Sequence, residues 1–311
     1  MLCAYFLIED PMKIIYNTDD PTSSGVLMND RLQQARHLEN NPKKYNSYIL
    51  GSSRSKAFKT KNWNSHLNSP STYHLGVNDE TLFGLERKLN FLDSTGADIH
   101  NVLILLDHRL ISLVKNHKAH IFREYHGLTN ETAPAFYQRF FTAFLDLNFI
   151  SRYWDYKQTG NVSGSDNYLW DPGFKFDEKT GDIFYARMDQ AITSDSAKFY
   201  SDNLSEFHDR ESKVSDKLIN EEALTLLRRI QNLLKKNKTS FKIIITPNYD
   251  QIVMHPSDVN YLTHLFGKTN VFNYSGVNEI TKEIGNYYEY KHFKPYIANQ
   301  LMNRVYTHDS Y

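Results

Sequence analysis

The chain has 311 residues, enough for one large α/β domain with a substantial core or for two small domains, and we expect one domain with insertions. Its 36 Lys and Arg residues balance its 36 Asp and Glu residues. Because no net charge attracts nucleic acid, a nucleic-acid-binding protein is disfavoured. The single cysteine, Cys3, excludes an intrachain disulfide, a cysteine-rich zinc site and a Cys–His nucleophile.

The N-terminal residues 1–8 are apolar, but this run stops at Glu9. A spanning helix needs about 20 apolar residues and a signal peptide needs a basic start, so the segment as given is neither. Two alternatives stay open, a buried strand or the remaining end of a longer membrane segment. Residues 9–46 are polar and predict a lead-in that packs on the domain, with a short helix at 30–38 and no visible chemistry.

The next segment contains a candidate nucleophile. Tyr48-Ile49-Leu50 is an apolar run of strand length that ends at Gly51-Ser52-Ser53 and continues into a helix-compatible stretch. Such a strand-to-helix turn lifts a serine out of the sheet and directs backbone N–H groups at the space above it, which suits a developing oxyanion. The alternative is an ordinary loop in which a serine caps the helix.

Two further strands are predicted to end near this turn. Residues 73–77 form a short strand that leads through Asn78 and Asp79 into an amphipathic helix, which either residue could cap. Residues 102–106 are a continuous apolar run, typical of a central parallel strand whose carboxyl end faces the ligand crevice. Asp107 and Arg109 at that end, with Arg54 beside the serines, are candidates for substrate binding, and a plain ion pair is the alternative for Asp107 and Arg109.

Residues 110–210 do not continue this pattern and are predicted to be an insertion. Its stretch 160–181 is rich in Gly, Ser, Asn and Asp and is expected at the rim of an active site. Trp154, Tyr168 and Trp170 could form an aromatic platform for a sugar, or they could simply pack in the core or the loop.

The elements after the insertion restore the alternation. A helix is predicted over 211–236 with Leu218 on its apolar stripe, then a strand at 241–247, a helix at 256–266, a strand at 271–274 and a closing helix at 295–306. Alternating strands and helices predict an α/β fold, with an open, mostly parallel five-stranded sheet between two layers of helices.

A candidate base and its orienting acid precede the closing helix. Glu289 and His292 stand three residues apart, and a serine nucleophile needs a base that is itself oriented by an acid. The chain has no Gly-x-Gly-x-x-Gly or Walker loop, and His108, His117, His120 and His126 do not follow a metal-ligand spacing. No cofactor and no metal are therefore predicted.

The acid-x-x-His block before a final helix resembles the terminal block of the SGNH (GDSL-like) hydrolase superfamily, and Gly51-Ser52-Ser53 resembles its first block. This resemblance implies Ser53 as nucleophile, His292 as base and Glu289 as the orienting acid. It also implies a flavodoxin-like strand order of 2-1-3-4-5 and an esterase or O-acyltransferase activity. Some relatives that modify bacterial cell-surface polymers carry a transmembrane helix before the catalytic domain. This favours an extracytoplasmic, membrane-associated protein, and the N-terminal segment could be the end of such an anchor.

The chain departs from the superfamily pattern where the oxyanion hole is built. Gly76-Val77-Asn78-Asp79 spells the third block, Gly-x-Asn-Asp, but follows the second strand, where relatives supply a glycine N–H. In that register the oxyanion donors are the N–H groups of Ser53 and of Asn78 or Asp79. After the third strand the chain has Asp107-His108-Arg109 in place of the usual Asn donor. Glu289 also replaces the usual Asp, although α/β-hydrolases use either acid.

Two classes of function follow. The first is a serine-dependent esterase or O-acyltransferase that acts on an acylated carbohydrate or cell-surface polymer through an acyl-serine. The second is a catalytically weak binding or scaffolding protein on the same fold, because fold alone does not determine function.

Overall fold

The structure is a computed structural model that describes residues 2–16, 18, 20, 22–162, 168–207, 210 and 212–307. The strands, numbered in chain order, are β1 Ser47–Gly51, β2 Thr72–His74, β3 Asn101–Leu106, β4 Lys175–Phe176, β5 Ile183–Phe184, β6 Ser240–Ile245, β7 Val271–Asn273, β8 Tyr287–Glu289 and β9 His292–Phe293. The α-helices are α1 Leu2–Glu9, α2 Asp30–Asn40, α3 Thr60–Asn64, α4 Leu82–Ser94, α5 His108–Ser112, α6 Ala133–Phe144, α7 Leu147–Thr159, α8 Ala186–Ser194, α9 Ser196–Asp202, α10 Glu221–Lys236, α11 Pro256–Phe266, α12 Glu279–Lys282 and α13 Pro295–Thr307. A 3₁₀ turn at Ser53–Ala57, called the serine turn below, joins β1 to α3.

Five parallel strands form the central sheet in the order β2-β1-β3-β6-β7. Counted along the chain, these are the second, first, third, fourth and fifth strands of the sheet. β1 pairs on both sides, with Ile49 opposite His74 of β2 and Leu103 of β3. The predicted α/β fold and its strand order are therefore confirmed, and every pairing in the sheet is parallel.

Side chains of the central strands alternate between two apolar layers. Tyr48 and Leu50 of β1 face a cluster that includes α4 and α10, whereas Ile49 faces a cluster that includes α13. Both clusters consist of buried apolar residues, as expected for parallel strands covered on both faces. The result is a three-layer sandwich whose strand carboxyl ends lie together at one edge of the sheet.

The predicted insertion, residues 110–210, adds no strand to the central sheet within its described part. It contributes α6 to α9 and the separate antiparallel hairpin β4–β5. α6 and α7 pack with α1 and the lead-in around Phe6, Phe136 and Phe149. Residues 163–167 of the predicted rim loop lie outside the described residues.

One of the two alternatives for the N-terminal segment was wrong, and so was the start of one predicted helix. Residues 2–9 form a helix, α1, and not a buried strand, and its residues Leu7 and Ile8 are exposed. None of the described helices combines the length and apolar character needed to cross a membrane.

The helix predicted over 211–236 begins at Glu221, and Glu211 lies outside the described residues. Leu218 precedes the helix because its N–H donates to Asp258 Oδ2 (2.7 Å). Asn220 then caps the first turn by accepting the Ala223 N–H (2.9 Å). The start of α10 is therefore set by a tertiary contact and a cap. The spacing of apolar residues in the sequence shows neither.

Candidate active site

The serine turn follows β1 directly. A Cβ at Gly51 would lie 2.9 Å from a carbonyl oxygen of β3, so glycine permits this close turn. Ser52 donates from Oγ to Asp107 Oδ2 (2.6 Å), and Ser55 donates from Oγ to the Ser52 carbonyl oxygen (2.7 Å). The hydroxyls on either side therefore bond inward, while Ser53 begins the 3₁₀ turn with a partly exposed side chain.

Glu289 and His292 stand on the hairpin β8–β9, immediately before α13. The two residues pair across the hairpin in an irregular register. Phe293 is buried in the cluster beneath the sheet and anchors the second strand. Glu289 Oε2 accepts the backbone N–H of Lys291 (2.8 Å), which fixes the carboxylate within the turn.

The structure brings Ser53, His292 and Glu289 together. His292 Nε2 lies 2.8 Å from Ser53 Oγ, and His292 Nδ1 hydrogen-bonds to Glu289 Oε1. Because a carboxylate only accepts, Nδ1 carries the hydrogen and Nε2 can accept the proton of Ser53.

Ser52, not Ser53, occupies the N-cap position of the serine turn, and its side chain makes no capping bond. The helix-capping alternative therefore does not describe Ser53.

The environment keeps Glu289 ionised. Burial raises the pKa of its carboxyl, but the hydrogen bond and the charge of His292 lower it, and the resulting pKa lies below the ordinary value. An ionised Glu289 stabilises the imidazolium that forms when His292 accepts a proton.

Arg31 of α2 supports the loop that carries Asn78 and Asp79. Its guanidinium donates to the carbonyl oxygens of Asn78 (3.0 Å) and Asp79 (2.9 Å). The C=O of Asn78 and the N–H of Asp79 belong to one trans peptide group and point in opposite directions. The Asp79 N–H therefore points away from Arg31.

Thr81, not Asn78 or Asp79, caps α4, so the capping alternative for this loop was wrong.

Lys56 fixes the side-chain amide of Asn78. Residues three apart in a 3₁₀ helix lie on the same face. Lys56 therefore lies one turn after Ser53, on the same face of the serine turn. Its buried ammonium donates to Asn78 Oδ1 (2.8 Å) and lies 3.5 Å from Asp30 Oδ2. An ammonium only donates, so the Asn78 oxygen must face Lys56 and its Nδ2 faces elsewhere. Burial lowers the pKa of Lys56, and Asp30 opposes that shift.

Asp107 and Arg54 bond to each other instead of extending into open space. Asp107 is 2% exposed, accepts from Ser52 and Arg54 Nη1 (3.1 Å), and caps α5 through the Leu110 N–H (3.0 Å). Burial raises the pKa of Asp107, but Arg54 and Ser52 bring it below its ordinary value. Arg109 pairs with Asp79 at the surface, where its side chain is 65% exposed. The ion-pair alternative thus describes Asp107 and Arg109.

A cavity of about 480 Å³ opens beside His292. Asn78 and Lys56 line it together with Glu289 and His292, so the predicted oxyanion loop and the base face one space. Aromatic side chains also line it, namely Trp170, Phe174, Tyr185, Tyr288 and Tyr290. The other predicted site residues, all described, are not among its lining residues: Ser53, Arg54, Asp79, Asp107 and Arg109. Cavities of this size commonly hold small ligands.

The predicted platform of Trp154, Tyr168 and Trp170 is divided between two places. Trp170 lines the cavity. Trp154 packs on Tyr5 of α1, with ring centroids 5.5 Å apart, and Tyr168 packs on Phe149 at 5.9 Å. Only Trp170 is therefore in a position to meet a ligand beside His292.

The histidines considered as metal ligands have other surroundings. His117 Nε2 hydrogen-bonds to the Asp79 carbonyl oxygen (2.7 Å), and the rings of His120 and His126 pack on Phe140 and Phe136. Across the described ranges, no three His, Cys, Asp or Glu side chains gather as a metal-ligand group.

Several supporting residues escaped the sequence analysis. Asp30 and Arg31 lie in the lead-in, which showed no chemistry, and Lys56 looked like an ordinary basic residue after the serines. Arg31 also bonds to Glu124 Oε1 (2.6 Å), ninety-three positions away, and lies 3.6 Å from Glu80 Oε1. No local sequence pattern indicates such a pairing. The only signal was that α2 begins with two charged residues, Asp30 and Arg31.

Replacing Arg31 by Met is expected to lower the free energy of unfolding by about 3–5 kcal/mol, because Glu124 and two loop carbonyls would lose a buried partner. Urea unfolding measures this change. Arg304→Met is the matched control, since its ion pair with Glu279 is exposed and should contribute less than about 1 kcal/mol. Equal effects of the two substitutions would contradict the structural role of Arg31.

No model of a known protein family matches this chain, and no curated protein matches it at a significant level. A function for this protein therefore has to be inferred from the geometry of its own residues.

Proposed function

We propose that this protein is an SGNH-type serine ester hydrolase or O-acyltransferase that acts on an acylated carbohydrate or cell-surface polymer. The observation that carries the proposal is the 2.8 Å contact between Ser53 Oγ and His292 Nε2, with Glu289 on the other ring nitrogen. This is the arrangement in which a base activates a serine and an acid holds the base in the required tautomer.

The mechanism follows from these contacts. Ser53 Oγ bonds to the carbonyl carbon of the ester while its proton passes to His292 Nε2. The tetrahedral intermediate expels the alcohol, which takes the proton from Nε2, and the acyl group remains on Ser53. Water or a sugar hydroxyl then gives its proton to Nε2 and attacks the acyl carbon, and the departing Ser53 Oγ takes that proton back from Nε2. The water reaction is hydrolysis, and the sugar reaction is acyl transfer.

The oxyanion would be stabilised by backbone N–H groups and by the Asn78 side chain. Ser53 is the first residue of its 3₁₀ turn, so no preceding carbonyl of that turn accepts its N–H. Arg31 orients the Asp79 N–H, and Lys56 leaves Asn78 Nδ2 as a donor at the cavity that His292 also lines. Together these groups can replace the Asn donor that the third strand lacks.

The cavity supports the carbohydrate part of the proposal. Its aromatic side chains can stack on the apolar face of a sugar, and Trp170 is the most suitable of them by ring size. An acylated sugar would place its ester at Ser53 and its ring in the cavity. The exposed Leu2, Leu7 and Ile8 of α1 support membrane association through the N-terminal segment, and an extracytoplasmic location is what a cell-surface substrate would require.

Covalent labelling tests the nucleophile. We expect a fluorophosphonate probe to form one adduct, which peptide mass spectrometry locates at Ser53 and not at the neighbouring Ser52 or Ser55. Both neighbours bond inward and are buried. Absence of an adduct, or an adduct on either neighbour, would favour the second class of function, a binding protein with the same fold.

Replacing Asn78 by Asp is expected to lower kcat by about 10²–10³-fold with little change in KM, because a donor to the oxyanion is lost and a negative charge takes its place. Lys56 can still bond to the carboxylate, so the fold should persist. Ester turnover provides the measurement, and Asn303→Asp on the exposed side of α13 is the control. A wild-type kcat in Asn78→Asp would show that this side chain is not a donor.

A further inference from the structure

A second serine, histidine and aspartate are hydrogen-bonded in series beneath the active site. Ser55 Oγ lies 3.0 Å from His74 Nε2, and His74 Nδ1 lies 3.1 Å from Asp182 Oδ1. Ser55 and His74 are fully buried and Asp182 is 3% exposed. We call these three residues the buried array. They come from the serine turn, β2 and the insertion.

The buried array cannot accommodate a substrate. A Cβ built on Gly76 would lie only 1.8 Å from Ser55 Oγ, so the space around this hydroxyl is already filled. Asp182 also accepts a hydrogen bond from Thr60 Oγ1 (2.8 Å). The backbone N–H of His74 donates to the Thr180 carbonyl oxygen (2.7 Å). These bonds connect the insertion to the serine turn without leaving a path for an ester.

The array ends on the peptide group that carries the proposed oxyanion donor. Ser55 donates to the Ser52 carbonyl oxygen from both its N–H (2.9 Å) and its Oγ (2.7 Å). That carbonyl and the Ser53 N–H belong to the same trans peptide group, so they point in opposite directions. Donors on the carbonyl fix the plane of the group and make its N–H a stronger donor.

The protonation state of His74 determines which of its ring nitrogens donates and which accepts. Burial lowers the pKa of His74, and the hydrogen bond and charge of Asp182 oppose that shift only in part. A neutral ring bonded to a carboxylate carries its hydrogen on Nδ1, which leaves Nε2 as an acceptor. The single hydrogen of the Ser55 hydroxyl therefore has two acceptors within reach, His74 Nε2 (3.0 Å) and the Ser52 carbonyl oxygen (2.7 Å), and is shared between them, while the backbone N–H of Ser55 donates independently to the same carbonyl (2.9 Å).

We propose that Ser55, His74 and Asp182 are positioning residues that hold the Ser52–Ser53 peptide group so that the Ser53 N–H stabilises the oxyanion. The inference rests on the proposed function. It gives the insertion a role in catalysis through Asp182, which does not touch the substrate.

The test compares Ser55→Ala and Asp182→Asn with the wild-type chain in turnover of p-nitrophenyl acetate. We expect each substitution to lower kcat by about fivefold to tenfold, the effect of one hydrogen bond, and to change KM by less than about twofold. Ser94→Ala is the matched control, because Ser94 Oγ also donates to a carbonyl three residues earlier (2.9 Å), but at the end of α4.

A spectroscopic measurement separates positioning from general loosening of the fold. The carbonyl stretch of an acyl-enzyme formed from a ¹³C-labelled p-nitrophenyl ester reports how strongly the oxyanion donors polarise that carbonyl. We expect the band to move to higher wavenumber in Ser55→Ala and Asp182→Asn and to stay in place in Ser94→Ala. If Ser55→Ala does not fold, Asp182→Asn decides the question, because it keeps the shape of the side chain.

The outcomes distinguish the two proposals. If the wild-type chain shows neither turnover nor a label at Ser53, the proposed function fails. If the wild-type chain is active and labelled at Ser53, but both variants keep its kcat and its carbonyl band, only the role of the buried array fails.

Discussion

Replacing Ser53 by Ala is expected to lower kcat for p-nitrophenyl acetate by roughly 10⁴–10⁶-fold, as for other serine nucleophiles held by a histidine and an acid. Without Oγ, His292 has no hydroxyl to activate, and no acyl-enzyme can form. The binding cavity and the oxyanion loop remain, so a small residual rate over water should persist. Initial rates of nitrophenolate release, with burst amplitude, measure both effects.

The Ser53→Ala experiment has a demanding control in the same turn. Ser55→Ala removes a hydroxyl two residues away and should still form the covalent adduct at Ser53, although more slowly. If Ser53→Ala and Ser55→Ala lost activity equally, the nucleophile could not be assigned to Ser53. Full activity of Ser53→Ala would leave the contact with His292 as a structural hydrogen bond and would favour the binding-protein alternative.

The fold was predictable because its signals are local. Each central strand is a short apolar run, and the parallel arrangement follows from the alternation of such runs with helices. That arrangement brings the carboxyl end of β1 to the crevice, so Ser53 could be named from the sequence. His292 and Glu289 could be named because their spacing and their place before α13 are also local.

The supporting residues were not predictable because their partners are distant in sequence. Asp182 reaches His74 across 108 positions, and Arg31 reaches Glu124 across 93 positions. Neither pair follows a helical or strand period. The predicted start of α10 was wrong for the same reason. The Leu218 N–H donates to Asp258, forty positions away, so the apolar pattern continues where the helix does not. Sequence therefore identified the three side chains that the structure brings together, whereas the buried charged and polar residues around them became visible only in the structure.

Glu289→Gln is expected to lower kcat by about 10³–10⁴-fold, because the amide would hold His292 in the wrong tautomer. Lys291 donates its N–H to Glu289 Oε2, so a glutamine would turn its oxygen toward Lys291. Its NH₂ group would then donate to His292 Nδ1. The ring hydrogen would move to Nε2, the nitrogen that faces Ser53 Oγ, and that nitrogen could no longer accept the serine proton.

Nitrogen chemical shifts of ¹⁵N-labelled histidine measure this tautomer directly. In the wild-type chain the hydrogen of His292 should reside on Nδ1, and in Glu289→Gln it should reside on Nε2. Glu289→Asp is the matched control, because it keeps the charge and both acceptor oxygens, so it should keep the Nδ1 tautomer and most of the activity. Loss of activity in Glu289→Gln without a change of tautomer would contradict this explanation and would leave only the charge of Glu289, which stabilises the imidazolium, to account for the effect.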